Sequence, residues 1–159
     1  MTPALHVRIA SKPDAEAIAA MSRDLIEHDL PWTWRAERVA RAIAAANTNV
    51  VVVREQVGLD AFGIMEYWDD DAHLVLFAVN KARQRQGLGT EILRWLEASA
   101  KAAGSQRIRV EARRDNVAAR SFYNEHGYHE VAVKPRMYSG MLDGIQFTKY
   151  LRACAASEV

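Results

Sequence analysis

The stretch from Ala72 to Ala112 constrains the fold more than any other part of the chain. Ala72 to Val79 (AHLVLFAV) reads as a buried strand, because it is an apolar run too short for a core helix of its own. A polar segment, Asn80 to Gln86, leads into Gly87-Leu88-Gly89-Thr90, and an amphipathic helix runs on to about Ala103. Leu88, Ile92, Trp95, Leu96 and Ser99 share one face of that helix, and Gly104 supplies its C-terminal stop. Arg107 to Ala112 then alternates as a strand, with Ile108 and Val110 on one side. A strand, a helix and a second strand in succession form a crossover unit, which joins parallel neighbours in one sheet. The chain is therefore expected to be α/β.

The flanking segments extend that unit. Leu5 to Ile9 alternates like a short strand, and Pro13 opens a helix with Asp14 and Glu16 in its first turn. Ile18, Met21 and Leu25 form the buried stripe of that helix, and Pro31 is expected to stop it. A second helix follows Thr33, with Val39, Ala42, Ile43 and Ala46 on one face. Asn49 to Arg54 holds four consecutive valines, suited to a covered strand, and Ala61 to Trp68 reads as the next. Asp69-Asp70-Asp71 marks a solvated turn. Asn116 begins a helix ending near Gly127, and Tyr128 to Val133 and Gly144 to Leu151 close the chain as strands. A loop holding Pro135, Arg136 and Tyr138 joins these two. The order is βααβββαβαββ: a mixed central sheet, antiparallel first and parallel across the crossover, with helices on both faces.

Composition sets the outer limits. A chain of 159 residues, half of them apolar, has the size of one self-sufficient domain. Its 21 basic and 20 acidic side chains nearly cancel, which argues against a nucleic-acid binder that works by global charge. A single cysteine, Cys154, excludes a disulfide framework and any multi-cysteine zinc site. No run approaches the ~20 apolar residues of a membrane span, and the start MTPALHVRIA lacks a signal-peptide core. These features predict one soluble cytoplasmic domain over 1–159, with a frayed tail from Ala153 to Val159 and no metal.

Gln84-Arg85-Gln86-Gly87-Leu88-Gly89 sits where a buried strand meets a helix start. Two glycines one residue apart let backbone pass close to a ligand and adopt positive φ. The first amides of the helix lack internal acceptors, so they suit a pyrophosphate without a metal. The Gly-Lys-Ser/Thr ending of a Walker loop is absent, as is the third glycine of a dinucleotide fingerprint. Lys81, Arg83 and Arg85 add positive charge at the mouth. A tight turn with glycines for packing alone has the same spacing.

This segment resembles motif A of the GNAT superfamily of acyl-CoA N-acyltransferases, Arg/Gln-x-x-Gly-x-Gly/Ala after a central strand. Asn116-x-x-Ala119-x-x-x-Tyr123-x-x-x-Gly127-Tyr128 resembles the second signature of the same family. The element order is similar as well, so the likeness covers nearly the whole chain. Lys81 departs from the proline that many relatives carry after the strand. A less specific similarity, the Glu-x-x-x-x-Asn spacing at Glu111 and Asn116, is to the ribosomal-protein alanine N-acetyltransferase type.

The resemblance implies a transfer from acetyl-CoA to a primary amine within a ternary complex. The pantetheine arm would pair with backbone of Phe77, Ala78 and Val79, and amides of Gln84, Arg85, Gln86, Gly87, Leu88, Gly89 and Thr90 would hold the pyrophosphate. Asn116 would bond the arm near the thioester, although Asn at that place also serves as a plain helix cap. The N–H of Val79 would face the oxyanion, and Tyr123 would give a proton to the departing thiolate and so also touch the cofactor. Glu111 is the implied base, with Glu66 and His73 as rivals and a water chain, which many relatives use, as the alternative to any side chain. Glu111 shares a strand face with Arg107, Arg109 and Arg113, so a solvated salt-bridge ladder is the plainer reading. Trp32, Trp34, Glu66 and Tyr138 are the acceptor-side candidates. The partner is a small-molecule or peptide amine, with a homodimer left open and neither nucleic acid nor membrane expected. A non-catalytic acyl-CoA-binding module on the same fold is the alternative.

Overall fold

The computed structural model describes residues 7–55 and 58–152. Within them the elements follow the expected order: β1 (Val7–Ile9), α1 (Ala15–Leu25), α2 (Ala36–Ala44), β2 (Thr48–Val53), β3 (Ala61–Tyr67), β4 (Asp71–Val79), α3 (Leu88–Ala102), β5 (Arg107–Arg113), α4 (Val117–Glu125), β6 (His129–Tyr138) and β7 (Leu142–Tyr150). The strands lie in the order β1-β2-β3-β4-β5-β7-β6. Pairing is antiparallel from β1 to β3 and at β5-β7-β6, and parallel between β4 and β5. This is the mixed α/β sheet expected from the crossover. The chain forms two compact units, one of residues up to Glu66 with Val75–Ser99, the other of Tyr67–Leu74 with residues from Ala100 on. Leu5, Cys154 and the tail from Ala153 lie outside the described residues.

In the first unit, Ile18, Trp34, Val39, Val50, Val52, Phe62, Ile64 and Leu76 share one core. All four valines from Val50 to Val53 are buried, as a covered strand requires. Leu88, Ile92, Leu93 and Leu96 are the buried residues at the heart of α3, whereas Trp95 and Ser99 are half-buried. The buried stripe is thus shifted by about one position from the expected one. Gly63 explains how close α3 lies, since a Cβ there would stand 2.9 Å from Leu96 Cδ1 and 3.2 Å from Ile92 Cγ2.

Helix α1 ends at Leu25, well before Pro31, and the cause is Glu27 rather than the proline. The Glu27 N–H bonds the Ser22 carbonyl at 2.8 Å, and its buried carboxylate accepts from Ser22 Oγ at 2.9 Å. The same carboxylate accepts from the Thr33 N–H at 2.7 Å and the Trp34 N–H at 3.2 Å. Those amides are therefore engaged, and α2 starts only at Ala36. Before α1, a 3₁₀ turn over Lys12–Asp14 is closed by the Ser11 N–H donating to Asp14 Oδ2 at 2.8 Å. Arg8 and Arg54 flank Asp14 at 3.1 and 3.0 Å. Burial opposes its charge, but the hydrogen bonds from Arg8, Ser11 and Arg54 prevail and hold its pKa at about 2.

The second unit corrects two expectations. Asp71 belongs to β4 and is half-buried, so only Asp69 and Asp70 remain as exposed turn residues. Pro135, Arg136 and Tyr138 lie inside β6 rather than in a loop. β6 is an edge strand, where proline withholds no ladder bond. Its pairing with β7 shifts between Lys134 and Tyr138, and Arg136 there has a φ of 53°. The Arg136 N–H instead bonds Asp143 Oδ1 at 2.9 Å.

Candidate active site

The first unit carries the glycine turn. Arg85 and Gly87 both have positive φ, 64° and 86°, and α3 follows directly, its Glu91 N–H bonding the Gly87 carbonyl at 3.0 Å. The opening amides of a helix, here those of Leu88 and Gly89, have no acceptor four residues back within the helix. Gly89 does not need the left-handed conformation expected of it, because it already lies within the helix. Alternating signs of φ over successive residues turn backbone N–H groups toward one side, which makes an anion-binding concavity. Among the described residues, nothing beyond its chain neighbours lies within 4 Å of where a Gly87 Cβ would project, so the turn has open space beside it.

The side chains around this turn are largely spent on one another. Gln84 Nε2 donates to the Val79 carbonyl at 3.0 Å, and Arg83 Nε donates to Gln86 Oε1 at 2.9 Å. The Asn80 side chain accepts from the Ala82 N–H at 3.0 Å. Arg83 also meets Glu55 at 2.8 Å and Asp60 at 3.2 Å, which corrects its place among the free cations at the mouth. Lys81 and Arg85 are exposed and form no ion pair among the described residues. Val79 has its carbonyl engaged by Gln84, and the donor role expected of it would use its N–H instead.

The acceptor-side candidates of this unit differ in exposure. Trp34 is nine-tenths buried in the core, with the Arg38 guanidinium 3.9 Å over its ring. Trp32 is half-buried between Arg35 at 4.6 Å and Arg23 at 5.3 Å. Glu66 is half-buried at the end of β3, opposite Thr48. Glu27, which ties this loop down, gave no local signal in the sequence: it follows a helix at no helical spacing and reads as one more polar residue.

The second unit gathers the titratable groups. The β4-β5 register runs from Asp71↔Arg107 through His73↔Arg109 to Leu74↔Val110, and β5 continues to Glu111. His73 Nε2 stands 2.5 Å from Glu111 Oε1, with the two side chains 23% and 11% exposed. The expected salt-bridge ladder is thereby corrected. Arg107 pairs with Asp71, Arg109 lies 3.7 Å from the same carboxylate, and Arg113 pairs with Asp115 at 3.3 Å. The three arginines have other acids, and the partner of Glu111 is His73. A usable signal existed, since pairing Asp71 with Arg107 by charge sets a register that brings His73 and Glu111 together.

Tyr123 is buried within an aromatic group, its ring 5.4 Å from Phe147, 5.5 Å from Phe122 and 5.7 Å from Tyr128. Burial pushes its hydroxyl pKa well up, and the neighbouring Tyr138 and the Glu111 carboxylate push the same way. Tyr138 is raised likewise, by burial first and then by Glu111, with Arg113 opposing. Both phenols are therefore held neutral, able to donate a proton. Their coupling to Glu111 places all three in one electrostatic neighbourhood. Asn116 caps α4, its Oδ1 accepting from the Ala119 N–H at 3.0 Å.

Residues 18–151 match the family described as the acetyltransferase (GNAT) domain. A ribosomal protein bS18-alanine N-acetyltransferase of Haemophilus ducreyi is 31% identical over 90 residues, 57% of this chain and 61% of that protein. The chain spans about half to three fifths of the length of the curated relatives it matches. The crystal structure of the ribosomal-protein-S18-alanine N-acetyltransferase from Escherichia coli superposes with a TM-score of 0.79 at 23% identity, covering 94% of this chain and 96% of that one. The yncA acetyltransferase of Salmonella typhimurium, solved with acetyl-CoA, gives a TM-score of 0.78 at 20% identity, covering 96% and 97%. At these identities the two structures share the fold.

Proposed function

The chain belongs to the GNAT acetyltransferase family, and we propose that it moves an acetyl group from acetyl-CoA directly to a primary amine in a ternary complex. The observation that carries the reading is the turn at Arg85–Leu88, which opens α3 with positive φ at Arg85 and Gly87 and with side chains tied back. Its backbone N–H groups, with Lys81 and Arg85, suit the pyrophosphate and a further phosphate of the coenzyme. Phe77, Ala78 and Val79 would offer backbone to the pantetheine arm, and the Val79 N–H would meet the oxyanion as the amine adds to the thioester carbonyl. Asn116 keeps its cap while its remaining hydrogen-bonding capacity serves the arm. As the carbon–sulfur bond breaks, Tyr123 gives the thiolate its proton. The amine's proton goes to the Glu111–His73 pair. One catalytic domain spans the described chain in this reading, supported by a family match that runs through both units.

Trp32, Trp34, Glu66 and Tyr138 are the proposed acceptor residues, and a peptide N-terminal amine heads the acceptor panel because of the named activity of the alanine-acetylating relatives. The test is thermal shift with acetyl-CoA, then acceptor-dependent thiol release with peptides, lysine, polyamines and small amines. A ligand at 100 times its dissociation constant adds about 2.7 kcal/mol of stability. Binding without thiol release for any amine would identify a non-catalytic acyl-CoA-binding module. Absence of both would reduce the turn to packing.

A further inference from the structure

The contact between His73 and Glu111 fixes more than the identity of a partner. A neutral imidazole has one donor nitrogen and one acceptor nitrogen, and the bond made by the first decides the second. His73 Nε2 faces the carboxylate at 2.5 Å, so a charged Glu111 holds the proton on Nε2 and leaves the lone pair on Nδ1. Nδ1 has no partner among the described residues, and the His73 side chain keeps 23% of its surface open. Glu111 is less open at 11%, and its near oxygen is occupied by the ring.

The surroundings keep Glu111 available to His73. Arg107 from β5 is engaged with Asp71 of β4, and Arg113 with Asp115, whereas Arg109, opposite His73 in the ladder, lies 3.7 Å from Asp71 with its buried Nε outside any hydrogen bond among the described residues. Gln146 of β7 stands opposite Glu111 in the ladder and carries no charge. The charge of Glu111 also acts on Tyr123 of α4 and Tyr138 of β6, and both stay protonated. An imidazole in general titrates near neutrality, where general-base catalysis works best, whereas a carboxylate is a weaker base there.

Resting on the transferase reading above, we propose that His73 Nδ1 takes the proton from the acceptor amine, and that Glu111 is a positioning residue that sets the imidazole's tautomer. The balance is simple: as the amine nitrogen bonds to the acyl carbon its proton moves to Nδ1, and the positive imidazolium is held by the Glu111 carboxylate. On acyl transfer the thiolate takes its own proton from Tyr123, and solvent restores both groups.

The experiment compares His73→Ala, His73→Gln and Glu111→Gln in the full chain. Acceptor-dependent thiol release should fall about 10²- to 10⁴-fold in both His73 variants, the usual reach of a general base, with the acetyl-CoA thermal shift unchanged. Added imidazole should restore part of the rate in His73→Ala and none in Glu111→Gln. The rate–pH profile of the wild type should show a limb that disappears in His73→Gln. Independently of activity, ¹⁵N imidazole spectra, assigned by loss of one ring in His73→Gln, should show His73 with its proton on Nε2, and a mixed tautomer in Glu111→Gln. A His73→Gln enzyme with full rate beside an inactive Glu111→Gln would overturn the proposal and make the carboxylate the base. So would a His73 ring protonated on Nδ1 in the neutral wild type. Wild-type protein that binds acetyl-CoA yet acetylates no amine would sink the transferase reading itself, a result distinct from either.

Discussion

The two units present their candidate residues in different material. In the first, the glycine turn offers backbone: the side chains of Arg83, Gln84 and Gln86 are tied to neighbours, and what faces outward is main chain with Lys81 and Arg85 beside it. In the second, His73, Glu111, Tyr123 and Tyr138 come from three strands and a helix; His73 and Glu111 meet through their side chains, and the charge of Glu111 reaches both phenols. A backbone site depends on local conformation and tolerates many side chains. A side-chain site depends on register, and one misplaced atom changes its chemistry. Substitutions in the two units should therefore fail in different observables.

The largest effect is expected at the turn. Gly87→Glu puts a negative side chain beside the proposed phosphate site and forces an L-residue to a φ of 86°, costing about 1 kcal/mol in strain. Acetyl-CoA affinity should fall more than ~10²-fold, above 2.7 kcal/mol, with the melting temperature only slightly lowered. An undiminished acetyl-CoA thermal shift would show that the turn is not where the phosphates sit.

Tyr123→Phe is the matching change in the second unit. It keeps the ring packed against Phe147 and Tyr128 and removes one hydroxyl. Turnover should drop ~10²-fold while acetyl-CoA affinity stays near wild type. Unchanged turnover across the pH range would leave Tyr123 as packing and pass the donor role to Tyr138 or water. Loss of affinity in place of turnover would erase the contrast between the units.

Asp14→Asn tests the frame of the first unit without touching its turn. A carboxylate with pKa about 2 in the folded protein, against an ordinary 3.8, is stabilising in full above 3.8. That contribution fades as pH falls toward 2. It amounts to about 2 kcal/mol, so Asp14→Asn should be less stable by that amount at pH 7 in urea titrations, and the gap should close between pH 4 and pH 2. A gap that stays constant with pH would mean that the charge of Asp14 contributes nothing and only its shape matters.

The smallest effect is expected at Gly63. A Cβ meets the flexible end of Leu96 most closely and the stiffer Ile92 Cγ2 at 3.2 Å, with Val51 Cγ2 in ordinary contact, so Gly63→Ala should cost about 1–2 kcal/mol. A cost several times larger in thermal or urea unfolding would mean that α3 cannot shift at all. No cost would mean that its seat on β3 is loose.

What could be read from the sequence follows the same division. The crossover unit, the valine strand and the turn before α3 are set by neighbours in the chain, and each stands where its residues suggest. The partner of His73 lies on another strand, so only the β4-β5 register, which the Asp71–Arg107 charge pair suggests, leads from residue 73 to Glu111. The three arginines of β5 looked like partners of Glu111 because alternation puts them nearby, yet Asp71 and Asp115 take them. The length of β6 is hidden in the sequence for a related reason. Pro135 signals a break wherever the strand's place in the sheet is unknown, and only the edge position makes it harmless.

The Glu27 carboxylate joins Ser22, Thr33 and Trp34 across the segment that links α1 to α2. A linker of this kind ordinarily samples many conformations, and a ligand that touches it must remove that freedom on binding. Here the freedom is already removed during folding, at the cost of one buried charge satisfied by four donors. Whatever meets Trp32 finds the loop already in order. Selectivity there rests on the shape presented rather than on an entropy lost at each encounter.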